Sequence, residues 1–445
     1  MKNRYFIILV CCYCVAALPV VAQTIPAKLD SLLDAYAKVW DYSGSVLVAT
    51  KSGVLLEKGY GYKNKGTRSL NDTNTIFQIG SITKQFTSAI ILQLEEQKKL
   101  SLQDSLTKYI PDYPNGNKIT IDELLTHTAG VYNYTNDAAF MKSESTHPIS
   151  RDSLIARFKY KPLDFTPGEK FSYSNSGYEL LGYIIEKVTG ESYFQAVRER
   201  IFHPLHMDHS GFDFTDLHSP DKALGYTPQS TTPVPIVDSS VSFAAGAIYT
   251  TVGDLYKWDR GLLSEKILSR ASQQKGYTPH LANYGYGWMI NVAGGKKIVE
   301  HGGGITGFVS YIKRIPEDET CIIILDNQPG SANLAKMAQD IADVLSGKDV
   351  RLPKVKVAVT LDTALLQQYV GRYQIGANFI FTITLEDGHL YGQATGQGKM
   401  ELFAEKKDLF FTKVPDGEIQ FARDADGKIE KLILHTGHDI PAKRL

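Results

Sequence analysis

The chain has 445 residues, of which 43% are hydrophobic and 22% are charged, and its 48 basic and 48 acidic side chains cancel. This is the composition of a globular protein that is long enough for a large core and more than one domain. The balanced charge gives no reason to expect nucleic acid or an anionic membrane surface as a partner.

The N-terminal residues have the features of an export signal. Lys2 and Arg4 precede an apolar run over residues 5–18, and Val20 and Ala22 have the spacing of a cleavage site before Gln23. The pattern is typical of a secretory signal peptide over residues 1–22, so we expect a secreted, periplasmic protein. A stable membrane anchor is the alternative, but the run is shorter than the ~20 residues of a spanning helix.

Three of the four cysteines lie inside this segment, and none follows the small residue that lipid attachment normally requires. A mature chain would keep only Cys321 and would form no internal disulfide. The surrounding run CIIIL predicts that Cys321 is buried in a strand rather than reactive.

After the signal, the pattern over residues 23–346 indicates an α+β domain. A helix is predicted at residues 29–40, followed by a hairpin that turns at residues 51–53. Helices and loops then dominate to about residue 211. Strands return at residues 286–290, 297–300, 308–315 and 321–325, before a last helix over residues 331–347. We expect an antiparallel sheet flanked by helices, with an all-helical subdomain.

The C-terminal part has a different pattern. Residues 347–361 are predicted to be a linker, and residues 362–445 a small all-β domain that is either an open meander or a barrel. Asp-Gly pairs begin at residues 387, 416 and 426, between short strand-like runs. Asp-Gly between alternating strands is a strong hairpin signal.

The stretch FQIGSITKQFTSAIILQL contains the first candidate for chemistry. Ser81 lies three residues before Lys84, where a long apolar helical repeat begins. The two side chains share one helix face, so Lys84 can accept the hydroxyl proton if its amine is neutral. The pKa of free lysine is about 10.4, so a neutral amine at pH 7 requires a pocket shielded from water. The alternative is a serine that only caps the helix, beside a solvated lysine. The Ser-x-x-Lys motif alone does not decide between a nucleophile and a cap, because the motif recurs at residues 105, 219, 272 and 310.

A second candidate is the polar turn FSYSNSGYELLGY. Tyr173 is placed to carry protons if donor neighbours lower the pKa of its phenol, and Asn175 is placed to bridge Lys84 and a substrate amide. A turn before a core helix is the alternative interpretation.

The third candidate is the stretch VEHGGGITGF, with His301, Gly302, Gly303 and Gly304. Glycines beside a strand allow a substrate backbone to approach, and a free N–H there can stabilise an oxyanion. HGGG also occurs in α/β-hydrolases, but the chain lacks the Gly-x-Ser-x-Gly elbow of that fold.

The three motifs in this order resemble the serine β-lactamase and penicillin-binding-protein superfamily. They are most similar to the branch with class C β-lactamases, D-Ala-D-Ala carboxypeptidases, D-aminopeptidases and related esterases. Connecting stretches such as LLTHTAGV and IFHPLHMDHSGF are similar too, and the resemblance covers roughly residues 29–345. The C-terminal region resembles a small β domain often appended to these hydrolases.

The resemblance implies an acyl-enzyme mechanism without metal or cofactor. Ser81 would attack the carbonyl, Lys84 and Tyr173 would share general base and acid roles, and Asn175 would orient Lys84 and the substrate. The backbone N–H groups of Ser81 and Gly304 would hold the oxyanion.

Two residues depart from the Lys-Thr-Gly of true class C enzymes. His301 stands where many relatives have lysine, and Gly302 lacks the hydroxyl that binds a carboxylate. Both changes favour a peptidase or esterase over an efficient β-lactamase.

The histidines at 203, 206 and 209 suggest a metal site at first, but Pro204 and apolar neighbours favour a structural connector. The stretch DADGKIE starts like a calcium loop without the remaining ligands.

The hypothesis is therefore a secreted serine hydrolase acting on a peptide or other small-molecule substrate. A non-catalytic protein that senses cell-wall peptides or β-lactams is the alternative from another class. A C-terminal domain that binds the ligand, with the larger domain as its scaffold, is a third.

Overall fold

The structure is a computed structural model that describes residues 23–330, 332–354, 356–376, 379–395, 398–412, 417–435 and 439–445. The signal peptide predicted for residues 1–22 and Asp416 of the second predicted turn lie outside these ranges.

The first part of the chain carries a hairpin, short strands and the helix that follows Ser81. Its elements are α1 (Ile25–Trp40), β1 (Gly44–Thr50), β2 (Gly53–Tyr60), β3 (Tyr62–Asn64), β4 (Ser69–Leu70), β5 (Phe77–Gln78) and α2 (Thr83–Glu96).

The middle part is mainly helical. Its elements are α3 (Ile121–Leu125), α4 (Ala138–Ser143), α5 (Arg151–Lys159), α6 (Asn175–Thr189), α7 (Tyr193–Val197), α8 (His203–Leu205), α9 (Ser239–Gly246), β6 (Tyr249–Thr250), α10 (Val252–Leu263) and α11 (Arg270–Gly276).

The last part returns to strands. It contains β7 (Met289–Ala293), β8 (Lys296–Ile305), β9 (Phe308–Ile315), β10 (Thr320–Asp326), α12 (Leu334–Leu345), α13 (Thr363–Leu366), β11 (Gly371–Gly376), β12 (Phe379–Glu386), β13 (His389–Ala394), β14 (Met400–Lys406), β15 (Leu409–Thr412), β16 (Gly417–Arg423), β17 (Ile429–His435) and β18 (Asp439–Arg444).

The main sheet has the strand order β2-β1-β10-β9-β8-β7, and its neighbouring strands are antiparallel. Every residue of β10 is buried. Ile322 and Ile324 face a core formed with α1 and α12, whereas Cys321 and Ile323 face the core formed with α2 and the helical part. Successive side chains of a strand point to opposite faces of the sheet, and each face is covered by helices, so neighbouring residues of β10 enter different cores. The predicted α+β architecture and the burial of Cys321 are confirmed.

β8 is longer than the predicted strand over residues 297–300. It continues through His301 and the three glycines to Ile305, with Gly303 opposite Ser310 of β9. The prediction ended too early because glycine is a poor strand former. Here the paired β9 holds the glycines extended, so the third motif lies at the edge of the sheet that faces Ser81.

The C-terminal part is a closed barrel of eight strands, β11 to β18. Its interior is filled by side chains, among them Tyr373, Phe381, Phe421 and Leu432. The predicted all-β domain is confirmed. The sequence left open a meander or a barrel, and the structure shows the barrel. Closure removes free strand edges, which would otherwise invite pairing with other chains.

Within the described residues, no helix combines the length and the apolar character needed to cross a bilayer.

Candidate active site

Ser81 lies in a 3-10 turn, Gly80–Ile82, that leads directly into α2. Two hydrogen bonds of the preceding residue, Ile79, hold this turn in place. The Ile79 N–H donates to the Ile248 carbonyl at 3.0 Å, and the Ile79 carbonyl accepts from Ser310 Oγ at 2.7 Å. These bonds fix the nucleophile candidate between the helical part and the sheet.

Lys84, in the first turn of α2, reaches back to Ser81. Its side chain is fully buried. Nζ lies 3.0 Å from Ser81 Oγ, 2.8 Å from Asn175 Oδ1 and 2.8 Å from the Ala245 carbonyl oxygen. The amide and carbonyl oxygens are acceptors only, so they take two N–H bonds of the amine. In a neutral amine the lone pair is then left for the Ser81 hydroxyl.

Burial lowers the pKa of Lys84 from 10.5 to about 7, while the carboxylate of Glu179 opposes this shift. Desolvation penalises the ammonium form more than the amine. A substantial fraction of Lys84 is therefore neutral near pH 7, which the sequence hypothesis required.

Tyr173 lies on the other side of the lysine. Lys84 Nζ is 4.9 Å from the centre of the Tyr173 ring. The phenol hydroxyl is buried, and within the described residues it makes no well-formed hydrogen bond, although the Ser81 hydroxyl lies near it. Burial raises the pKa of Tyr173, and the nearby Ser81 hydroxyl opposes this only in part. The lowered pKa expected from the sequence is not found, because desolvation outweighs the neighbours; the phenol is a proton donor at neutral pH.

Asn175, the first residue of α6, connects the lysine to the helical part. Its Oδ1 accepts from Lys84, and its Nδ2 donates to Thr135 Oγ1 at 3.1 Å. The Asn175 backbone N–H donates to Asn133 Oδ1 at 3.1 Å. This arrangement fixes the amide orientation, so the oxygen faces Lys84.

His301 is buried behind Tyr173, with ring centres 6.3 Å apart. Nδ1 lies 2.5 Å from the Gly302 carbonyl, which can only accept, so Nδ1 carries the proton. Nε2 therefore accepts from the Tyr284 hydroxyl at 2.9 Å. Burial, and next Lys84, lower the pKa of His301 to about 4. His301 is thus a neutral member of the site.

The three glycines of the motif differ in their surroundings. A Cβ on Gly303 would lie 2.0 Å from the Ile79 carbonyl oxygen, so the close packing of β8 against the Ser81 turn requires glycine there. Gly302 has only ordinary contacts with Tyr311, and a Cβ on Gly304 would meet nothing within 4 Å. Gly304 lines a cavity beside Ser81, whereas Gly302 and Gly303 do not line it.

Three further residues of the site were not predicted. His127 accepts from the Ser174 N–H at 3.2 Å and packs against Tyr173, with ring centres 4.1 Å apart and the rings tilted by 36°. Tyr284 donates to His301. Glu179 is fully buried one helical turn after Asn175, and Arg151 lies 3.5 Å from it. The available signals were a charged residue on the apolar face of a predicted helix for Glu179, the family-like stretch LLTHTAGV for His127 and the tyrosine-rich stretch NYGYGW for Tyr284.

Two of the other Ser-x-x-Lys copies illustrate a different environment. Lys108 is largely exposed and pairs with Asp104, and Lys313 lies on a strand and pairs with Glu300. The structure brings a serine and a buried, weakly basic lysine together at Ser81 and Lys84.

His203 of the predicted connector hydrogen-bonds Glu199 at 3.2 Å across one helical turn. In the described part of the chain, no three His, Cys, Asp or Glu side chains are grouped to hold a metal ion.

The fold and the serine–lysine pair are similar to those of the β-lactamase-type serine hydrolase superfamily. The chain belongs to the Beta-lactamase family, whose model matches residues 29–346. A second model, a domain of unknown function named DUF3471, matches residues 355–444. The resemblance stated from the motifs is confirmed.

Three similar proteins place the chain within this superfamily. A penicillin-binding protein of Bacillus subtilis (strain 168) is 27% identical over 446 aligned positions, covering 94% of this chain and 98% of the relative. The octameric penicillin-binding protein homologue from Pyrococcus abyssi is 27% identical with a TM-score of 0.68, covering 94% and 99%. A D-stereospecific amidohydrolase from Streptomyces sp. is 26% identical with a TM-score of 0.61, covering 74% and 100%.

Proposed function

We propose that the protein is an exported hydrolase that cleaves an ester or amide bond through an acyl-enzyme on Ser81. The observation that carries the proposal is the contact between Ser81 Oγ and the buried Lys84 amine, whose pKa is about 7. Esters and amides suit a hydroxyl nucleophile with an adjacent base.

In the first step Ser81 Oγ forms a bond to the substrate carbonyl carbon as its proton moves to Lys84. The carbonyl oxygen becomes an oxyanion, which we assign to the backbone N–H groups of Ser81 and Gly304. Both residues line the same cavity. Removing one such donor in a hydrolase typically costs about 10²–10³ in kcat.

Collapse of this intermediate breaks the bond from the carbonyl carbon to the leaving group, which must gain a proton. Tyr173 suits this transfer, because its phenol is protonated and lies over Lys84. The phenol gives its proton to the leaving group and regains one from the Lys84 ammonium. Water then attacks the acyl-enzyme with the same groups in reverse, and Ser81 regains its proton.

Labelling with a fluorophosphonate probe tests this function. The probe should modify wild-type protein at Ser81, located by peptide mass spectrometry, and should not modify Ser81→Ala. Equal labelling of both proteins, or turnover of esters by Ser81→Ala, would disprove the mechanism.

A second candidate is a protein that β-lactams acylate without efficient turnover. The similarity to a penicillin-binding protein over 94% of this chain favours it. A stable adduct of fluorescent penicillin on Ser81, without ester or amide turnover, would decide for it over the hydrolase.

Export to the periplasm is part of the proposal and depends on residues 1–22. Expression of the full chain with cell fractionation should place the protein in the periplasm, with an N-terminus at Gln23. An unprocessed chain in the cytosol would contradict export and leave the hydrolase proposal intact.

A further inference from the structure

A cavity of about 250 Å³ opens beside Ser81. It lies between the Ser81 turn, the start of α6, α9 and the end of β8, and Ser81, Asn175 and Gly304 are part of its wall. Lys84, Tyr173 and His301 do not line it. Since the leaving group takes its proton from the Lys84 and Tyr173 side, this cavity is left for the acyl part of the substrate.

The wall of the cavity is uncharged. Apolar side chains form much of it, and Met141, Val237, Val241 and Ile305 are the larger ones. Among the described residues that line it, none is Lys, Arg, His, Asp or Glu. A charged acyl group would therefore find no countercharge on this surface.

The larger polar side chains of the wall are already engaged. The Tyr134 hydroxyl donates to the Val241 carbonyl at 2.6 Å. The Thr135 hydroxyl donates to Asn133 Oδ1 at 3.0 Å and accepts from Asn175 Nδ2 at 3.1 Å. A carboxylate beside Tyr134 or Thr135 would have to break these bonds to gain a hydrogen bond from either hydroxyl.

The Lys84 amine, which contacts Ser81, is also engaged. Lys84 gives one N–H to Asn175 and another to the Ala245 carbonyl, and both bonds are 2.8 Å. Arg151 lies behind α9, with its guanidinium over the Phe243 ring and beside Glu179. Neither is placed to neutralise a substrate anion in the cavity.

From this cavity we infer that the enzyme selects substrates whose acyl group is uncharged and apolar, and rejects acyl groups that end in a carboxylate or an ammonium. The inference rests on the proposed Ser81 mechanism and adds the substrate class. Placing an unpaired charge against a largely apolar wall is costly. We expect at least about 100-fold lower kcat/KM for a charged acyl group than for its neutral counterpart, a ratio typical of a mismatched polar group.

Matched p-nitrophenyl esters test the inference on the full-length protein. One pair is the monoester of glutaric acid, with a free carboxylate, and its methyl ester. A second pair carries a terminal trimethylammonium group or its neutral tert-butyl isostere. The leaving group is constant, so a difference in kcat/KM reports the acyl site.

A positive charge added at the cavity should weaken the preference for the neutral ester. Thr306 is exposed at the rim of the cavity, so Thr306→Lys does not bury its new charge and should leave the fold intact. We expect the glutarate monoester to gain at least about 10-fold in kcat/KM relative to its methyl ester, as a new opposite charge within reach stabilises the anion. Thr363→Lys makes the same change at an exposed site in α13 and should leave this ratio unchanged.

The outcomes separate the two proposals. If Ser81 is not labelled and no neutral ester is hydrolysed, the proposed function fails. If hydrolysis depends on Ser81 but charged and neutral esters differ by less than about threefold, the hydrolase stands and the neutral acyl site is wrong. The neutral acyl site is also wrong if Thr306→Lys and Thr363→Lys change the ratio equally.

Discussion

Lys84 and Ala245 are joined by a hydrogen bond of 2.8 Å from the amine to the carbonyl oxygen, which connects α2 with the end of α9. Together with the bond of the same length to Asn175, it directs the lone pair of the neutral amine toward Ser81. The bond matters because a buried amine without fixed acceptors has no preferred direction.

Removing the amine should slow hydrolysis strongly. Lys84→Met keeps most of the side-chain volume, and we expect kcat/KM for a neutral p-nitrophenyl ester to fall by about 10²–10⁴, the usual contribution of a general base. Lys108→Met is the matched control, since Lys108 follows Ser105 at the same spacing but is largely exposed. Comparable losses in the two variants would show that Lys84 has no special role.

The pH dependence should report the same amine. The unprotonated form accepts the serine proton, and the pKa of Lys84 is about 7. kcat/KM should therefore rise about tenfold per pH unit below that value and level off above it. His301, with a pKa of about 4, is neutral throughout this range and adds no step. A rate constant that stays flat from about pH 5 to about pH 8 would contradict Lys84 as the base.

Tyr173→Phe should move activity and stability in different directions. The variant removes a buried hydroxyl that makes no well-formed hydrogen bond within the described residues. An unpaired buried polar group costs about 1–3 kcal/mol, so the free energy of unfolding should stay equal or increase. Ester turnover should fall about 10²-fold or more as proton delivery is lost. Unfolding in urea and steady-state kinetics on the same preparations measure both, and a clear loss of stability would indicate a structural role instead.

Neighbouring glycines should respond differently to a methyl group. In Gly303→Ala the Cβ would lie 2.0 Å from the Ile79 carbonyl oxygen and 2.4 Å from Ser310 Oγ. Overpacking of this kind costs about 1–3 kcal/mol or more, and it moves the Ser81 turn. Gly302→Ala is the control, because its nearest contact is the Tyr311 ring at 3.4 Å. We expect a lower melting temperature and weaker fluorophosphonate labelling for Gly303→Ala, and little change in melting temperature for Gly302→Ala.

Glu179 should make the stability of the protein depend on pH. Burial raises the pKa of this carboxyl from 4.5 to about 8, against the opposing effect of Arg151. The native state thus binds a proton that the unfolded state has lost between these values, so the Glu179 contribution to stability declines as pH rises through this window. Relative to wild type, Glu179→Gln should become more stable by at least about 1 kcal/mol from roughly pH 5 to roughly pH 8. The exposed Glu169→Gln is the control, and parallel curves for wild type and Glu179→Gln would contradict the prediction.

Local patterns were sufficient for much of the fold. The period-two runs of the sheet, the apolar repeat after Ser81 and the Asp-Gly turns of the barrel are short-range signals, because they depend on the geometry of a single strand, helix or turn. They indicated the α+β domain and the C-terminal β domain before any long-range contact was known. The motif order further indicated Ser81, Lys84, Tyr173, Asn175 and the glycine run as candidates.

The electrostatic state of the site depended on residues that are distant in sequence. Lys84 is weakly basic because sheet and helices enclose it, and its direction is set by Asn175 and Ala245, 91 and 161 positions away. The same enclosure raises the pKa of Tyr173, against the expectation from its polar turn. His127, Tyr284 and Glu179 join the site only through packing.

The amino-acid sequence by itself determined which groups are available and which local elements carry them, since propensity and spacing act over one or two turns. The tertiary structure alone decided in which serine–lysine pair the lysine is buried beside the serine, which tautomer His301 adopts and where an uncharged cavity opens beside the nucleophile. The physical reason is that desolvation and hydrogen-bond direction are properties of the whole enclosure, and this enclosure is assembled from distant segments.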